Sequence, residues 1–135
     1  MAAHYESKHG LVPRTPAEMY MGFVDMRNFT MMLPAEYKDK VTADYDTLSV
    51  EVQGFRISVR VVAREPYSLL RFSTVESPIA FEAALHFETA DGGRTDFSIE
   101  LEADLNLMMK AMLGGRIKEA LDKVVDGMVD PSSVR

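Results

Sequence analysis

The chain has 135 residues, of which 47% are hydrophobic and 27% are charged, and its formal net charge is -6. This length suits one domain around one hydrophobic core, so we expect a single domain over residues 1–135. Because nucleic-acid binding draws on clustered Lys and Arg, the acidic balance argues against a nucleic-acid partner. The chain has no cysteine, which excludes disulfides, thiolate metal ligands and cysteine nucleophiles.

Membrane and export signals are not apparent in the sequence. No apolar run reaches the roughly eighteen residues that a transmembrane helix needs. The opening residues MAAHYESKHG lack the apolar segment of a secretory signal peptide. We therefore expect a cytoplasmic protein without an integral membrane segment.

The N-terminal part predicts a strand and then a helix. The segment AHYESKHGLV, residues 3–12, predicts a first strand at a sheet edge, ended by Pro13. Thr15 then suits the N-cap of a helix, Pro16 suits the first helical position, and Glu18 completes the pattern of a capping box. The next segment, TMMLPAEYKDK (residues 30–40), is interrupted by proline and predicts only a second short helix or a turn.

From Val41 onward the hydrophobic period changes from near four to two, which predicts strands. Short links rich in Gly, Pro and Asp separate them and favour antiparallel neighbours, since a parallel crossover needs about a dozen residues or more. Apolar and polar side chains alternate in each strand, most clearly in TDFSIELEADL. We therefore expect a meander with one apolar and one charged face. The predicted strands cover residues 41–46, 47–53, 56–64, 69–75, 80–90 and 95–105.

The last segment, residues 106–129, predicts one long amphipathic helix. Its pair Gly114-Gly115 is unusual, because glycine costs about 1 kcal/mol relative to alanine inside a helix. The pair predicts a bend, a break or a close approach to the sheet, next to the flexible side chains of Met108 and Met112. Apolar positions recur every three or four residues, so we expect them to cover the apolar face of the sheet. They are Met109, Leu113, Ile117, Ala120, Val124 and Met128.

A strand, two helices, six strands and a long helix follow one another, and the segments AREP (63–66), ESPIAF (76–81) and EADLN (102–106) lie at element boundaries. This order and these segments resemble the START or Bet v 1-like superfamily, also called SRPBCC or helix-grip proteins, and its small bacterial members in particular. The resemblance covers residues 5–129. It implies an α+β fold in which a curved seven-stranded antiparallel sheet, in the order β-α-α-β6-α, wraps around the long C-terminal helix.

The resemblance also implies that the space between sheet and helix holds an apolar ligand such as a lipid, sterol, quinone or polyketide. A filled core would use the same inward-facing residues, so both alternatives stay open. The small Ala83 and the flexible methionines favour a cavity. Thr74, Glu76, Ser77 and Tyr45 are candidates for its mouth, or for a solvated turn. The candidate ligand-binding residues are Ile57, Val59, Phe72, Ala83, Leu85, Phe97, Ile99, Leu101, Met109, Met112, Leu113 and Ile117.

Three functions of different classes follow. We expect a binder or carrier of a small hydrophobic ligand, with no catalytic residue and no cofactor, because the inward rows contain no acid-base side chain. The first alternative is an enzyme of the polyketide cyclase or aromatase kind, which predicts a buried ionisable group. The second alternative is a protein-interaction module with a vestigial cavity, which predicts a protein partner and an exposed apolar patch.

The histidines predict no metal site. His86 alternates with the charged face and is expected to be exposed. His4 and His9 would point to opposite faces of a regular strand, so we expect no shared metal ion between them. The acidic row of the last strand is expected to face Arg56 and Arg60 rather than a cation.

Overall fold

The computed structural model describes residues 2–31, 39–52 and 54–129. Its helices are α1 (Pro16–Phe23) and α2 (Leu107–Val129), with short 3-10 helices at Met26–Met31 and Asp91–Gly93. The second short helix or turn predicted over residues 30–40 falls largely on residues 32–38, which lie outside the described residues. The strands are β1 (Ala2–Glu6), β2 (Gly10–Val12), β3 (Val41–Ala43), β4 (Thr47–Val52), β5 (Phe55–Glu65), β6 (Leu69–Glu76), β7 (Phe81–Thr89) and β8 (Thr95–Asp104).

All eight strands belong to one antiparallel sheet. Its order is β1-β8-β7-β6-β5-β4-β3, and β2 also pairs with β8. Register shifts between β5 and β6 fall at Ser58/Val59 and Val61/Ala63, and irregularities of this kind bend a strand. The predicted α+β architecture with a curved antiparallel sheet and a long C-terminal helix is confirmed. No helix in the described ranges is long and apolar enough to cross a membrane.

The sheet has eight strands rather than seven because the first predicted strand is divided. Glu6 pairs with Glu100, and Gly10 pairs with Phe97, so three residues of the N-terminal segment lie opposite two residues of β8. The extra residue is a β-bulge. Ser7 holds it in place, because its backbone N–H donates to the Ile99 carbonyl at 2.8 Å and its hydroxyl accepts from the Ile99 N–H at 2.8 Å.

Helix α1 begins as predicted. The Glu18 backbone N–H donates to Thr15 Oγ1 at 3.2 Å, and the Thr15 backbone N–H donates to Glu18 Oε1 at 3.1 Å, which completes the capping box. These two hydrogen bonds fix the start of α1 and so the position of its buried residues Met19, Tyr20 and Phe23.

The main core lies beneath α1, so this helix covers part of the apolar sheet face that was expected to lie under the C-terminal helix. Phe23 of α1 stacks on Phe87 and Phe97, with ring centroids 6.1 and 6.3 Å away. Helix α1 is short, but its three buried residues, Met19, Tyr20 and Phe23, have large side chains. They occupy this part of the apolar face, and α2 reaches the same core through its C-terminal half.

Helix α2 is anchored to the sheet through its C-terminal half. Val125 is completely buried, whereas the predicted inward residue Val124 is 45% exposed, and Ala120 is exposed as well. The Lys8 backbone N–H in the bulge donates to Asp122 Oδ1 at 2.7 Å, and the Lys8 ammonium group pairs with Asp126. The residues of α2 that join the main core are Leu121, Val125 and Met128.

Gly10 permits this anchoring, because a Cβ atom there would lie 2.5 Å from Val129 and 2.6 Å from Val125. We predict that Gly10→Ala destabilises the protein by about 1–3 kcal/mol through overpacking. The matched control is Gly22→Ala in α1, where no atom lies within 4 Å of the added Cβ. That substitution should stabilise the protein by about 0.5–1 kcal/mol. Urea denaturation of both variants measures the free energies of unfolding, and equal effects would contradict the close packing of β2 on α2.

Candidate ligand-binding site

An apolar cleft of about 360 Å³ lies between the first half of α2 and the inner face of the sheet. The connection between β6 and β7 forms one of its walls. A larger recess of about 580 Å³ lies around the β3–β4 turn, but it is lined mainly by charged and polar side chains and does not suit an apolar ligand. The residues that line the apolar cleft are Ile57, Ser77, Pro78, Ile79, Phe81, Leu101, Ala103, Leu105, Leu113, Arg116, Ile117 and Ala120.

The first half of α2 is less deeply buried than its C-terminal half, where Val125 is completely buried. Tyr5 of β1 contacts the first half, since its hydroxyl oxygen would be 3.3 Å from a Cβ atom added at Gly114. The predicted close approach at the glycine pair is therefore made by Gly114, to the Tyr5 ring, and α2 continues unbroken through it. Leu113 and Ile117, on either side of this contact, are only half-buried and face the open space.

Two side-chain hydroxyls shape the wall between β6 and β7. Ser77 Oγ accepts a hydrogen bond from the Ile79 backbone N–H at 3.2 Å, and Thr74 Oγ1 accepts from the Phe81 backbone N–H at 3.3 Å. Together they hold the turn so that Ile79 and Phe81 contribute to the cleft. Of the predicted mouth residues, Ser77 does line the cleft, whereas Tyr45 lies elsewhere, with the Arg64 guanidinium 4.3 Å from its ring centroid.

The predicted ligand-binding residues separate into three groups in the structure. Ile57, Leu101, Leu113 and Ile117 are brought together in the cleft lining. Met109 packs near them against a small cluster, and Met112 points away, with 67% of its surface exposed. The remaining residues lie in or against the main core beneath α1, outside the cleft lining, because α1 fills that half of the sheet face. They are Val59, Phe72, Ala83, Leu85, Phe97 and Ile99.

Several lining residues were missing from the sequence-based set. Phe81 and Ala103 share the inward parity of Ala83 and Leu101, so strand alternation alone could have included them. Pro78 and Ile79 lie in a connection, where no periodic pattern indicates a direction. Their contribution depends on how the β6–β7 turn folds over the sheet.

Comparisons with known proteins identify the fold. No protein-family model and no curated protein matches the sequence. Norcoclaurine synthase from Thalictrum flavum is 11% identical, with a TM-score of 0.67 over 100% of this chain and 87% of that chain. A protein of unknown function from Staphylococcus aureus is 10% identical, with a TM-score of 0.67 over 100% of this chain and 98% of that chain. Ara h 8.0201 is 12% identical, with a TM-score of 0.61 over 96% of this chain and 98% of that chain.

The chain has a Bet v 1-like helix-grip fold. At these sequence identities the similarity establishes the fold alone.

Within this helix-grip fold, the start of α2 carries an exposed apolar surface formed by Leu107, Met108 and Met112. It directly precedes Leu113 of the cleft lining.

The outer face of the helix-grip sheet carries a second cluster, which we call the outer-face cluster: His4, Glu6, His86, Glu100 and Glu102. His4 Nε2 lies 3.2 Å from Glu6 Oε1 and 3.4 Å from Glu100 Oε2, and His4 Nδ1 lies 3.5 Å from Glu102 Oε1. His86 Nε2 contacts Glu100 Oε1. His86 was expected to be exposed, but only 29% of its side chain is accessible.

The prediction that His4 and His9 point to opposite faces was wrong. His9 Nδ1 lies 2.9 Å from Asp96 Oδ1, and Asp96 shares the outer face of β8 with Glu100 and Glu102. The bulge at Ser7 adds one residue and shifts the parity, so both histidines lie on the outer face. Arg56 was expected to face the acidic row of the last strand, but its guanidinium lies 3.6 Å from Glu76 on β6.

The carboxylates of the outer-face cluster change the titration of His4. Its hydrogen bond with Glu6, reinforced by Glu102 and Glu100, raises the pKa of His4 above the ordinary value for histidine. Protonated His4 therefore stabilises the folded state below the unfolded pKa, and this contribution is lost as the pH rises through the folded pKa. We predict that Glu6→Gln lowers the midpoint of His4 in an NMR titration of its ring protons.

A matched control for this titration is Glu119→Gln, which removes a carboxylate that pairs with Lys123 on α2. It should leave the His4 midpoint unchanged. A midpoint that is the same in Glu6→Gln as in the wild type would show that the Glu6 contact is absent in solution.

Proposed function

We propose that this protein binds or carries a small hydrophobic ligand in the cleft between α2 and the sheet. The observation that carries the proposal is an open apolar space between a helix and a sheet whose remaining interface is closely packed. Its volume of about 360 Å³ lies at the lower end of the range, about 300–1,000 Å³, that is usual for small-molecule pockets. A helix-grip fold is consistent with this use of the space between helix and sheet.

The lining narrows the class of ligand. Most lining side chains are aliphatic or aromatic, and covering them with an apolar surface lowers the free energy of the system. The volume favours a compact molecule, such as a ring system of the quinone or polyketide kind or part of a lipid chain, over a whole membrane lipid. Within the described part of the lining, Arg116 is the one ionisable side chain, so a ligand with an anionic group at one end of an apolar body fits best.

The same lining favours binding over acid-base catalysis. General acid-base chemistry needs a carboxyl, imidazole or similar group within hydrogen-bond reach of the substrate. Arginine stays protonated at ordinary pH and serves as an anchor for anions rather than as a proton carrier. The described lining residues offer apolar contact, the Ser77 hydroxyl and one cationic group, which supports binding.

The test compares two tryptophan substitutions on the same helix. Ala120 lines the cleft and is exposed, whereas Ala111 is exposed and lies outside the lining. We predict that Ala120→Trp fills the cleft and weakens binding of the apolar fluorescent probe anilinonaphthalene sulfonate by about tenfold or more, equivalent to about 1.4 kcal/mol. Ala111→Trp should bind the probe like the wild type.

Native mass spectrometry of the purified protein, followed by denaturation, should also release a bound small molecule from the wild type and none from Ala120→Trp. Equal probe binding by both variants, together with a protein that carries no small molecule, would contradict ligand binding in this cleft.

A second candidate function is a protein-interaction module. The observation that favours it is the exposed surface of Leu107, Met108 and Met112, since large apolar side chains exposed together mark interaction surfaces. A bound small molecule that is present in the wild type and lost in Ala120→Trp would argue for the binding function. Unchanged probe binding in Ala120→Trp would favour the interaction module instead.

A further inference from the structure

The outer-face cluster brings a histidine and two carboxylates to one point of a rigid sheet. The closest nitrogen and oxygen atoms of His4, Glu6 and Glu100 all lie within 4.8 Å of one another. His4 and Glu6 come from β1, and Glu100 comes from its hydrogen-bonded neighbour β8. Backbone pairing on both strands fixes the three Cα positions, so the side chains converge without a flexible loop.

The spacing of these atoms suits a tetrahedral metal ion. With metal bonds of about 2.0 to 2.1 Å, as zinc forms with histidine and carboxylate ligands, neighbouring corners of a tetrahedron lie about 3.3 to 3.4 Å apart. His4 Nε2 lies 3.2 Å from Glu6 Oε1 and 3.4 Å from Glu100 Oε2. The two distances measured from the histidine nitrogen therefore match two edges of such a tetrahedron.

The surrounding residues orient these ligands as the outer partners of metal sites do. Metal-binding histidines usually direct their second ring nitrogen at a carboxylate or a carbonyl. The second nitrogen of His4, Nδ1, faces Glu102 Oε1 at 3.5 Å. His86 contacts the Glu100 oxygen Oε1, which leaves Oε2 directed at His4. His4 and Glu100 therefore each have a partner, Glu102 and His86 respectively, for the atom that does not face the proposed metal position.

The charge of the cluster also favours a cation. Glu6, Glu100 and Glu102 place three carboxylates within a few ångströms of His4. In the ranges that the structure describes, none of them forms an ion pair with lysine or arginine, and Arg56 pairs with Glu76 instead. A divalent ion would neutralise this concentration of negative charge more completely than the histidines do.

We propose that the outer-face cluster binds a divalent transition-metal ion, with His4 Nε2 and the carboxylates of Glu6 and Glu100 as protein ligands. One imidazole and two carboxylates suit Zn²⁺ better than Mg²⁺ or Ca²⁺, which take oxygen ligands. Glu102 and His86 act as positioning residues. The site lies on the opposite face of β8 from Leu101 and the apolar cleft, so it stands independently of the proposed ligand binding.

The experiment titrates Zn²⁺ into the metal-free protein and follows binding by isothermal calorimetry. We predict one equivalent bound by the wild type. His4→Gln and Glu100→Gln should each weaken binding by about tenfold or more, because each removes a ligand. The matched control is His9→Gln, which removes an outer-face histidine that lies outside the cluster, beside Asp96, and should leave Zn²⁺ binding unchanged. All substituted side chains are exposed or half-exposed, and circular dichroism confirms that the variants fold.

Mg²⁺ offered under the same conditions should not compete for the site. Loss of Zn²⁺ binding in His4→Gln and Glu100→Gln but not in His9→Gln would support the proposal. It would be overturned by a wild type that takes up no Zn²⁺, or by uptake that persists in both ligand variants.

Discussion

The apolar face of the curved sheet has to be covered, and two helices of very different length share that task. The short helix α1 covers its part closely, because Phe23 stacks on Phe87 and Phe97 and all three rings are buried. Helix α2 is almost three times as long, yet it covers the other half incompletely. Most other features of the molecule depend on this unequal division, including the position of the cleft.

The incomplete cover by α2 has a local cause at each end. Its C-terminal half is drawn against β2 by the close packing of Val125 on Gly10 and by the contact between Asp122 and the Lys8 backbone. Toward the other end the Tyr5 ring lies between Gly114 and the sheet. A helix held tightly at one end and separated from the sheet by an aromatic ring at the other leaves an open space between helix and sheet. Apolar side chains line that space because they belong to the same alternating strand face as the core.

Strand β8 connects the two candidate sites. Its inward residues Leu101 and Ala103 line the cleft, and its outward residues Glu100 and Glu102 belong to the outer-face cluster. The bulge at Ser7 governs the neighbouring strand, because the extra residue sets which side chains of β1 and β2 point inward and outward. One irregularity in the backbone thus fixes both the anchoring of α2 and the face on which His9 lies.

Local patterns in the sequence determined the strands, the α1 capping box, the amphipathic character of α2 and the inward parity of Leu101, because hydrophobic period and capping are properties of neighbouring residues. Parity also placed Ile57 and Phe97 on one face, but it carried no information on which of them a helix would cover. That choice, which buries Phe97 in the core and leaves Ile57 at the cleft, depends on how α1 and α2 divide the sheet. The bulge at Ser7 was likewise decided by the tertiary structure, since the hydrogen bonds that hold it come from Ile99, far along the chain. Contacts between distant segments have no periodic signature, and so the position of the cleft and the convergence of His4 with Glu100 became visible only in the folded protein.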